Sequence, residues 1–547
     1  MGVSFRVLST WWMASLLSAV TLAAAGNDLR LVEAAQKGDR ETVQSLVKQH
    51  ADVNAAQPDG ATALAWASQR DDLEMADLLI RAGAKVNAAN DYGVTPLSLA
   101  CTNGSSAMVE QLLKSGANPN AAQWDGETVL MTCVRPGNAD AVKALLAHGA
   151  NVNAQTRRGQ TALMWAAAEK HPEVAKLLIE HGADVNTKSH TVSGIAPAMH
   201  ITYGLHDHVT GKFDRVEPGE VHEDPSIPKG GFTALMFAAQ RGDLDSARAL
   251  LAAGAKLNDI APEYGNALVV ASANSQEEMA LFLLDKGADP NVADGFGYTS
   301  LHYALWKGIA AISMNRHGLA TDYRWMWPNL PGLVKALLAY GANPNARVTK
   351  GFPNFDYPAF ARSVGHSLPQ FNQIGITPFL LAAASGDASL MRLLVANGAD
   401  PLMATEDGTT PLMAAAGIGR IDDRTEEEEK GALEAVQLAV ELGANVNAAN
   451  RQGRTALQGA AFMGSNAIIQ FLVDKGANID GKDKYGQSAL SIAEGDPTRL
   501  ADSTDKRFQE HGGPHKSTSD LLLKLGATPP PARVAETSAS GAADRAR

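Results

Sequence analysis

Apolar and polar positions alternate along this chain in blocks. Apolar residues at helical spacing, such as Val109, Leu112 and Leu113, predict helices whose apolar stripe stacks on a neighbour. Between the blocks lie stretches rich in Asp, Asn, Gly and Pro, such as Asn87 to Gly93, which carry the residues of tight turns and predict projecting hairpin-like fingers. The blocks recur in register. A pattern close to x-D-G-x-T-A-L-x-x-A, continued by V-x-x-L-L-x-x-G-A-D-V-N-A, returns every 33 residues in four abutting copies, at 58–90, 91–123, 124–156 and 157–189.

Each landmark has a local physical reason. Thr62, Thr161, Thr233 and Thr455 can place a hydroxyl on the free amides that open a helix, and Pro96, Pro378 and Pro411 follow a Thr where a missing N–H costs nothing. Each T-A-L or T-P-L therefore predicts a helix start. Gly83, Gly116, Gly149, Gly182, Gly254, Gly287, Gly341, Gly398, Gly443 and Gly476 follow apolar stretches, where a helix stops most easily on a residue at positive φ.

The period and these landmarks resemble the ankyrin repeat, with one β-turn finger and two antiparallel helices per unit. The resemblance implies an all-α repeat solenoid over about residues 28–527: eleven units with a T-A-L-like start follow an N-terminal cap at 28–55, where His50 replaces the terminal glycine. Copy number then explains a length of 547 residues without one oversized core. The family's units are interaction modules, so the resemblance implies a protein partner, no cofactor and no catalysis. The family often carries His just after the start, as T-P-L-H. Only His302 matches here; Met131, Met164, Met236, Val269, Leu380 and Met413 stand at the equivalent positions. Those residues could pack along the stack or form an adaptable Met-lined face.

Charge and termini narrow the role. A net charge of −12 without a basic stripe argues against nucleic-acid binding. In the densest acidic run, Glu426 to Glu429, Thr425 and Glu428 fit a capping box that would start a helix and leave the carboxylates solvated. Residues 1–25 resemble a secretory signal peptide, with Arg6, an apolar stretch at 11–22 and Ala23-Ala24-Ala25. No membrane span is expected after its cleavage, and no Cys follows closely enough for a lipid anchor. The reading is export, to a periplasm or beyond the cell, in the manner of a bacterial envelope protein. Cys101 and Cys133 are expected to be buried free thiols, because stacked helices about 8–10 Å apart would strain a bridge.

Function in a regular array should concentrate where regularity fails. Repeats at 26–189, 229–348 and 373–527 are interrupted by insertions at 190–228, 306–332 and 349–372, with smaller additions near 417–431 and 495–512. The tail 528–547 is Pro- and Ala-rich and reads as disordered. Between Phe296 and Phe379 stand 14 of the chain's Phe, Trp and Tyr residues, where an even spread would give about 5. Trp306, Tyr323, Trp325, Trp327, Phe355, Tyr357 and Phe360 are the partner-binding candidates, since aromatics give large contact area for little ordering entropy. The same residues could instead glue the insertions into a private core. The insertion 190–228 holds His190, His200, His206, His208 and His222; of these, His200, His206, His208 and His222 are weak candidates for a zinc-type site, in a spacing that matches no zinc motif.

No nucleophile elbow, phosphate loop or metalloprotease motif occurs, and GGPHKS at 512–517 lacks the glycine a phosphate loop needs before Lys516. The expectation is a non-enzymatic, protein-binding scaffold that holds its partner on the concave face and fingers, with selectivity from the aromatic insertions. The alternative is a ligand- or metal-binding protein, with or without catalysis, that uses the aromatic or His-rich insertion.

Overall fold

The structure, a computed structural model, describes residues 28–191, 229–312, 328–350, 372–420, 424–495 and 515–529. Their helices fall into twelve consecutive units, from Arg30–Lys37 with Arg40–Lys48 to Ala489–Glu494 with Lys516–Lys524. The chain divides into two compact bodies. Unit 1 holds the described residues up to Thr191 together with Gly230–Asp259, and unit 2 begins its repeats at Ile260.

Each start forms as its residues dictate. The hydroxyls of Thr62, Thr161 and Thr233 accept from the amides of Ala65, Met164 and Met236 at 3.3, 3.3 and 3.4 Å. At the Thr455 start, the side chain of Gln458 accepts from Thr455 N at 2.8 Å. These first helices are about two turns long, too short to persist alone; they hold because each packs on the first helix of a neighbouring repeat in the same body. The second helix ends on a glycine such as Gly83 at φ +94°, and at the same place in the N-terminal cap His50 is held at φ +60°.

The asparagine of the G-A-D-V-N signature does more than turn the chain. Asn87 Nδ2 donates to Gly116 O at 2.9 Å, and its Oδ1 accepts from Asn118 N at 2.7 Å, so one side chain bridges two backbone groups of the following repeat. Asn54, Asn120, Asn153 and Asn186 do the same through unit 1. In unit 2, Asn291, Asn345 and Asn447 continue the pattern. Leu402 stands in the asparagine's place, 51% exposed.

Two expectations are corrected. Cys101 and Cys133 form a disulfide, with Cα atoms 4.3 Å apart. The spacing of about 8–10 Å is between helix axes; subtracting two Cα radii of about 2.3 Å leaves about 3.4–5.4 Å where two helices face each other, a range that reaches the separations a bridge needs. Cys101 sits one position later in its helix than Cys133 does, and that offset makes the pair face.

The acidic run does form the capping box, with Glu428 N donating to Thr425 Oγ1 and Thr425 N to Glu428 Oε2, both at 3.2 Å. Two of its carboxylates are nevertheless drawn inward. Arg420 pairs with Glu428 at 2.8 Å and Arg424 with Glu429 at 3.5 Å, and both guanidiniums are buried. Burial pushes Arg424 down to about 10, against the pull of Glu429.

The methionines pack. Met131, Met164, Met236 and Met413 are all buried, so the stripe belongs to the stack. His302 caps Thr299 through Nδ1, which accepts from Thr299 N at 3.1 Å, and its Nε2 lies 3.3 Å from Ile376 O of the next repeat. Gln458 performs the same two tasks, donating from Nε2 to Gln487 O at 2.7 Å.

Candidate protein-binding face

The fingers of unit 1 are tied to one another by backbone bonds. Asp91 N donates to Asp59 O at 3.0 Å, Trp124 N to Tyr92 O at 3.4 Å, Arg157 N to Asp125 O at 2.9 Å and His190 N to Arg158 O at 2.8 Å. With the asparagine ladder at their bases, the fingers present a fixed row of tip residues. Two tips are large aromatics facing water: Tyr92 is 61% and Trp124 64% exposed. Beside them the first helices contribute Trp66, Leu99 and Trp165, each half-buried at the same repeat position.

Arg and Trp alternate on this face. The Arg157 guanidinium lies 5.6 Å from the ring of Trp124, and that of Arg135 lies 4.1 Å above Trp165. Arg135 also faces Glu127 at 3.6 Å, while Glu127 Oε1 accepts from the hydroxyl of Thr132 at 2.9 Å. Burial pushes the Glu127 carboxyl up despite the nearby guanidinium. Equivalent tryptophans differ in one respect. Trp66 Nε1 donates to Gln57 Oε1 at 3.1 Å, whereas Trp165 Nε1 is buried without an acceptor, because Thr156 occupies the place of Gln57.

In unit 2 the aromatics near the start of the enriched segment are interior. Tyr298 and Tyr303 stack at 5.6 Å, Tyr303 and Trp306 at 5.4 Å, and Tyr298 meets His302 edge-on at 5.7 Å. Trp306 is 8% exposed and donates from Nε1 to Ser272 O at 3.3 Å. That placement makes it part of the stack. At one end of the row, Asp294 accepts from the hydroxyl of Tyr303 at 2.5 Å and from the amides of Phe296 and Tyr298 at 2.9 and 2.8 Å. Burial dominates and pushes its carboxyl up to about 6; burial also holds His302 down to about 4 and raises the Tyr298 phenol.

The other candidates, Tyr323, Trp325, Trp327, Phe355, Tyr357, Phe360, His200, His206, His208 and His222, lie outside the described residues. His190 sits on a finger with Nδ1 3.1 Å from Arg157 O. Among the described residues no three His, Cys, Asp or Glu side chains converge as metal ligands, and no helix is long and apolar enough to cross a membrane. Tyr92, Trp124, Arg135 and Trp165 were not singled out from the sequence. Their signal was positional: Tyr92 stands one residue and Trp124 two residues before a finger glycine, in a tip that the repeat turns outward.

A family model described as ankyrin repeats (3 copies) matches residues 31–123, 116–189, 216–294, 235–314 and 428–497, and a single-repeat model matches 374–406. The chain belongs to the ankyrin-repeat family. It is 28% identical over 214 residues to the putative ankyrin repeat protein YahD of Escherichia coli (strain K12), a match covering 38% of this chain and 95% of that protein. It is 32% identical over 114 residues to cyclin-dependent kinase 4 inhibitor B of Homo sapiens, covering 20% of this chain and 82% of that one. A match of 32% over 162 residues to the mitochondrial disaggregase of Bos taurus covers 25% of this chain and only 22% of that protein. Ankyrin-repeat proteins are in general interaction scaffolds and typically not enzymes, which sets protein recognition as the coarse role of this ankyrin chain.

Proposed function

We infer that the chain is a protein-binding ankyrin scaffold acting outside the cytoplasm, which holds its partner on the fingers and first helices and draws selectivity from the aromatic insertions at 306–332 and 349–372. The observation that carries the reading is the pair of exposed aromatics on adjacent fingers, Tyr92 and Trp124, in a row fixed by backbone bonds. Rigid exposed Tyr and Trp are the anchors of protein interfaces, because they bury much area at little entropic cost. The compartment is supported by the disulfide, which uses both cysteines of the chain. Cytosolic thiols are kept reduced, whereas periplasmic and extracellular proteins form such bonds. The signal-like residues 1–25 point the same way.

The test is affinity capture from the envelope fraction with three baits that unfold with equal cooperativity. They are the intact chain, a Tyr92→Ser/Trp124→Ser variant, and a chain with 349–372 replaced by a Gly-Ser linker. A protein held by the intact chain and lost by the finger variant supports the face; loss on the linker variant assigns selectivity to the insertion. Equal capture by all three sinks the assigned surface. Recovery of the chain from cells with both thiols free to alkylation would sink the compartment.

A further inference from the structure

The third and fourth full units of unit 1's consecutive run exchange Arg and Trp reciprocally. The finger at 124–126 offers Trp124 to Arg157 of the next finger, and the helix Val129–Val134 is followed by Arg135, which covers Trp165 of the next first helix. Both stacks lie on the finger-and-first-helix face, within two neighbouring repeats. Stacking uses the flat side of a guanidinium and leaves its edge, where all five N–H donors point, for in-plane acceptors. Among the described residues neither guanidinium has a hydrogen-bonding side-chain or carbonyl acceptor. Arg135 has only the longer 3.6 Å approach of Glu127, whose own charge burial disfavours. Asp125, the other nearby acid, turns its Oδ1 to the amide of Glu127 in its own finger at 3.0 Å. The third unused donor is Trp165 Nε1, directly beneath Arg135.

Two guanidiniums held over indole rings without a hydrogen-bonding acceptor, and one buried indole N–H, make a cluster of donors in a chain whose net charge is −12. The complementary ligand supplies acceptors and negative charge. We propose that this face binds an acidic, extended segment of the partner protein, with carboxylates taken by the edges of Arg135 and Arg157. As Arg135 swings onto its carboxylate, Trp165 Nε1 becomes free to donate to a carbonyl of the same segment. The inference rests on the scaffold reading and names its partner chemistry. It explains why Trp165 lacks the glutamine that its counterpart Trp66 has, since a permanent internal acceptor would occupy the N–H that the ligand uses.

The probe is a fluorescein-labelled Glu-Gly repeat peptide, titrated with the full chain by anisotropy. Binding is expected to weaken steeply with salt and to fall about tenfold or more in Arg135→Gln/Arg157→Gln, as for desolvated charge-assisted bonds. Trp165→Phe keeps the ring beneath Arg135, removes the N–H and is expected to cost a few-fold. Arg70→Gln, elsewhere in unit 1, controls for net charge and is expected to leave binding unchanged. Circular dichroism and cooperative unfolding confirm that each variant is folded. Unchanged affinity in the double variant overturns the proposal, as does an equal loss in Arg70→Gln. Equal binding of a Lys-Gly peptide overturns it too, and so does tighter binding of inorganic polyphosphate of matched charge. If the capture experiment retains a protein by the fingers while the acidic peptide fails to bind, this inference falls and the scaffold reading stands; failure of both removes the face altogether.

Discussion

Two groups of aromatic residues, one in each unit, are used in opposite ways. In unit 2, Tyr298, Tyr303, Trp306 and Phe379 come from the most aromatic stretch of the sequence, and all are buried. In unit 1, Tyr92 and Trp124 are isolated in sequence and stand in water. Local density of aromatics therefore says little about exposure in a repeat array. Position within the repeat decides it, because the tip residues before the finger glycine face out, while Tyr298, immediately before its Thr, and the residues that follow the Thr face the stack.

The sharpest test of that contrast is energetic. Tyr298→Ala should cost unit 2 about 3–5 kcal/mol, as for other large aromatics removed from a core. Trp124→Ala should shift the stability of unit 1 by no more than about 0.5 kcal/mol, as for surface substitutions. Urea unfolding with hydrogen exchange resolved by segment measures both. Similar costs at the two sites would erase the distinction.

The disulfide sharpens the same comparison from the other side. It joins the first helices behind the Tyr92 and Trp124 fingers, across a sequence separation of 32 residues, and unit 2 has no counterpart because the chain has no other cysteine. Replacing both cysteines by Ala should cost unit 1 about 2–4 kcal/mol, chiefly by freeing the unfolded chain. Exchange protection should fall over 96–134 and stay unchanged in unit 2. Uniform protection in the variant would mean the bond adds nothing to the stack.

Unit 2 carries an opposed pair of buried titrating groups, Asp294 and His302. Asp294, raised to about 6 in the fold from 3.8, contributes stability that is complete below pH 3.8 and is lost as pH rises through 6. His302, lowered to about 4 from 6.5, contributes stability that is complete above pH 6.5 and is lost as pH falls through 4. Each slope amounts to about 3 kcal/mol, and the two oppose one another across the same window, so the parent should look nearly flat. Asp294→Asn should unmask the histidine, with stability rising from pH 4 to 6.5. His302→Gln, which keeps the cap that Gln458 makes elsewhere, should unmask the aspartate, with stability falling from pH 4 to 6. A parental slope retained by both variants would refute the pairing.

Much of the fold was legible because each repeat states its own boundaries. Thr at the helix start and Gly at its end act through bonds two or three residues away, which a single sequence displays. What was not legible lies between repeats. The Cys101–Cys133 bond depends on a one-position offset between facing helices, and the spacing of helix axes does not report how closely Cα atoms approach on the facing sides. Glu428 and Glu429 looked solvated because their partners, Arg420 and Arg424, lie outside the acidic run. Trp306 stands in sequence at the start of an insertion, yet its acceptor, Ser272 O, comes from the preceding repeat. The Arg135–Trp165 stack pairs residues one repeat apart, and nothing within either repeat alone announces it.

The smallest expected effect concerns the ladder at the base of the fingers. Through unit 1 every step from Asn54 to Asn186 is made, while unit 2 has two substituted rungs: Asp480, whose Oδ1 still accepts from Thr528 N at 2.8 Å, and Leu402, which has no polar side-chain atom. The backbone there is already shaped for asparagine: Leu402 N donates to Asp400 Oδ1 at 2.9 Å, as Asn345 N does to Asn343 Oδ1 at 3.0 Å. Leu402→Asn should therefore place an amide between Gly443 O and Asn445 N, adding two hydrogen bonds at an exposed site. Each is worth about 0.5–1.5 kcal/mol before side-chain ordering is subtracted, and removing an exposed leucine costs little. The net gain should be about 1 kcal/mol, seen as slower exchange over 443–447. Exchange that stays fast there would show that the repeats flanking Leu402 are set by the buried Arg420 and Arg424 pairs, with the ladder following rather than leading.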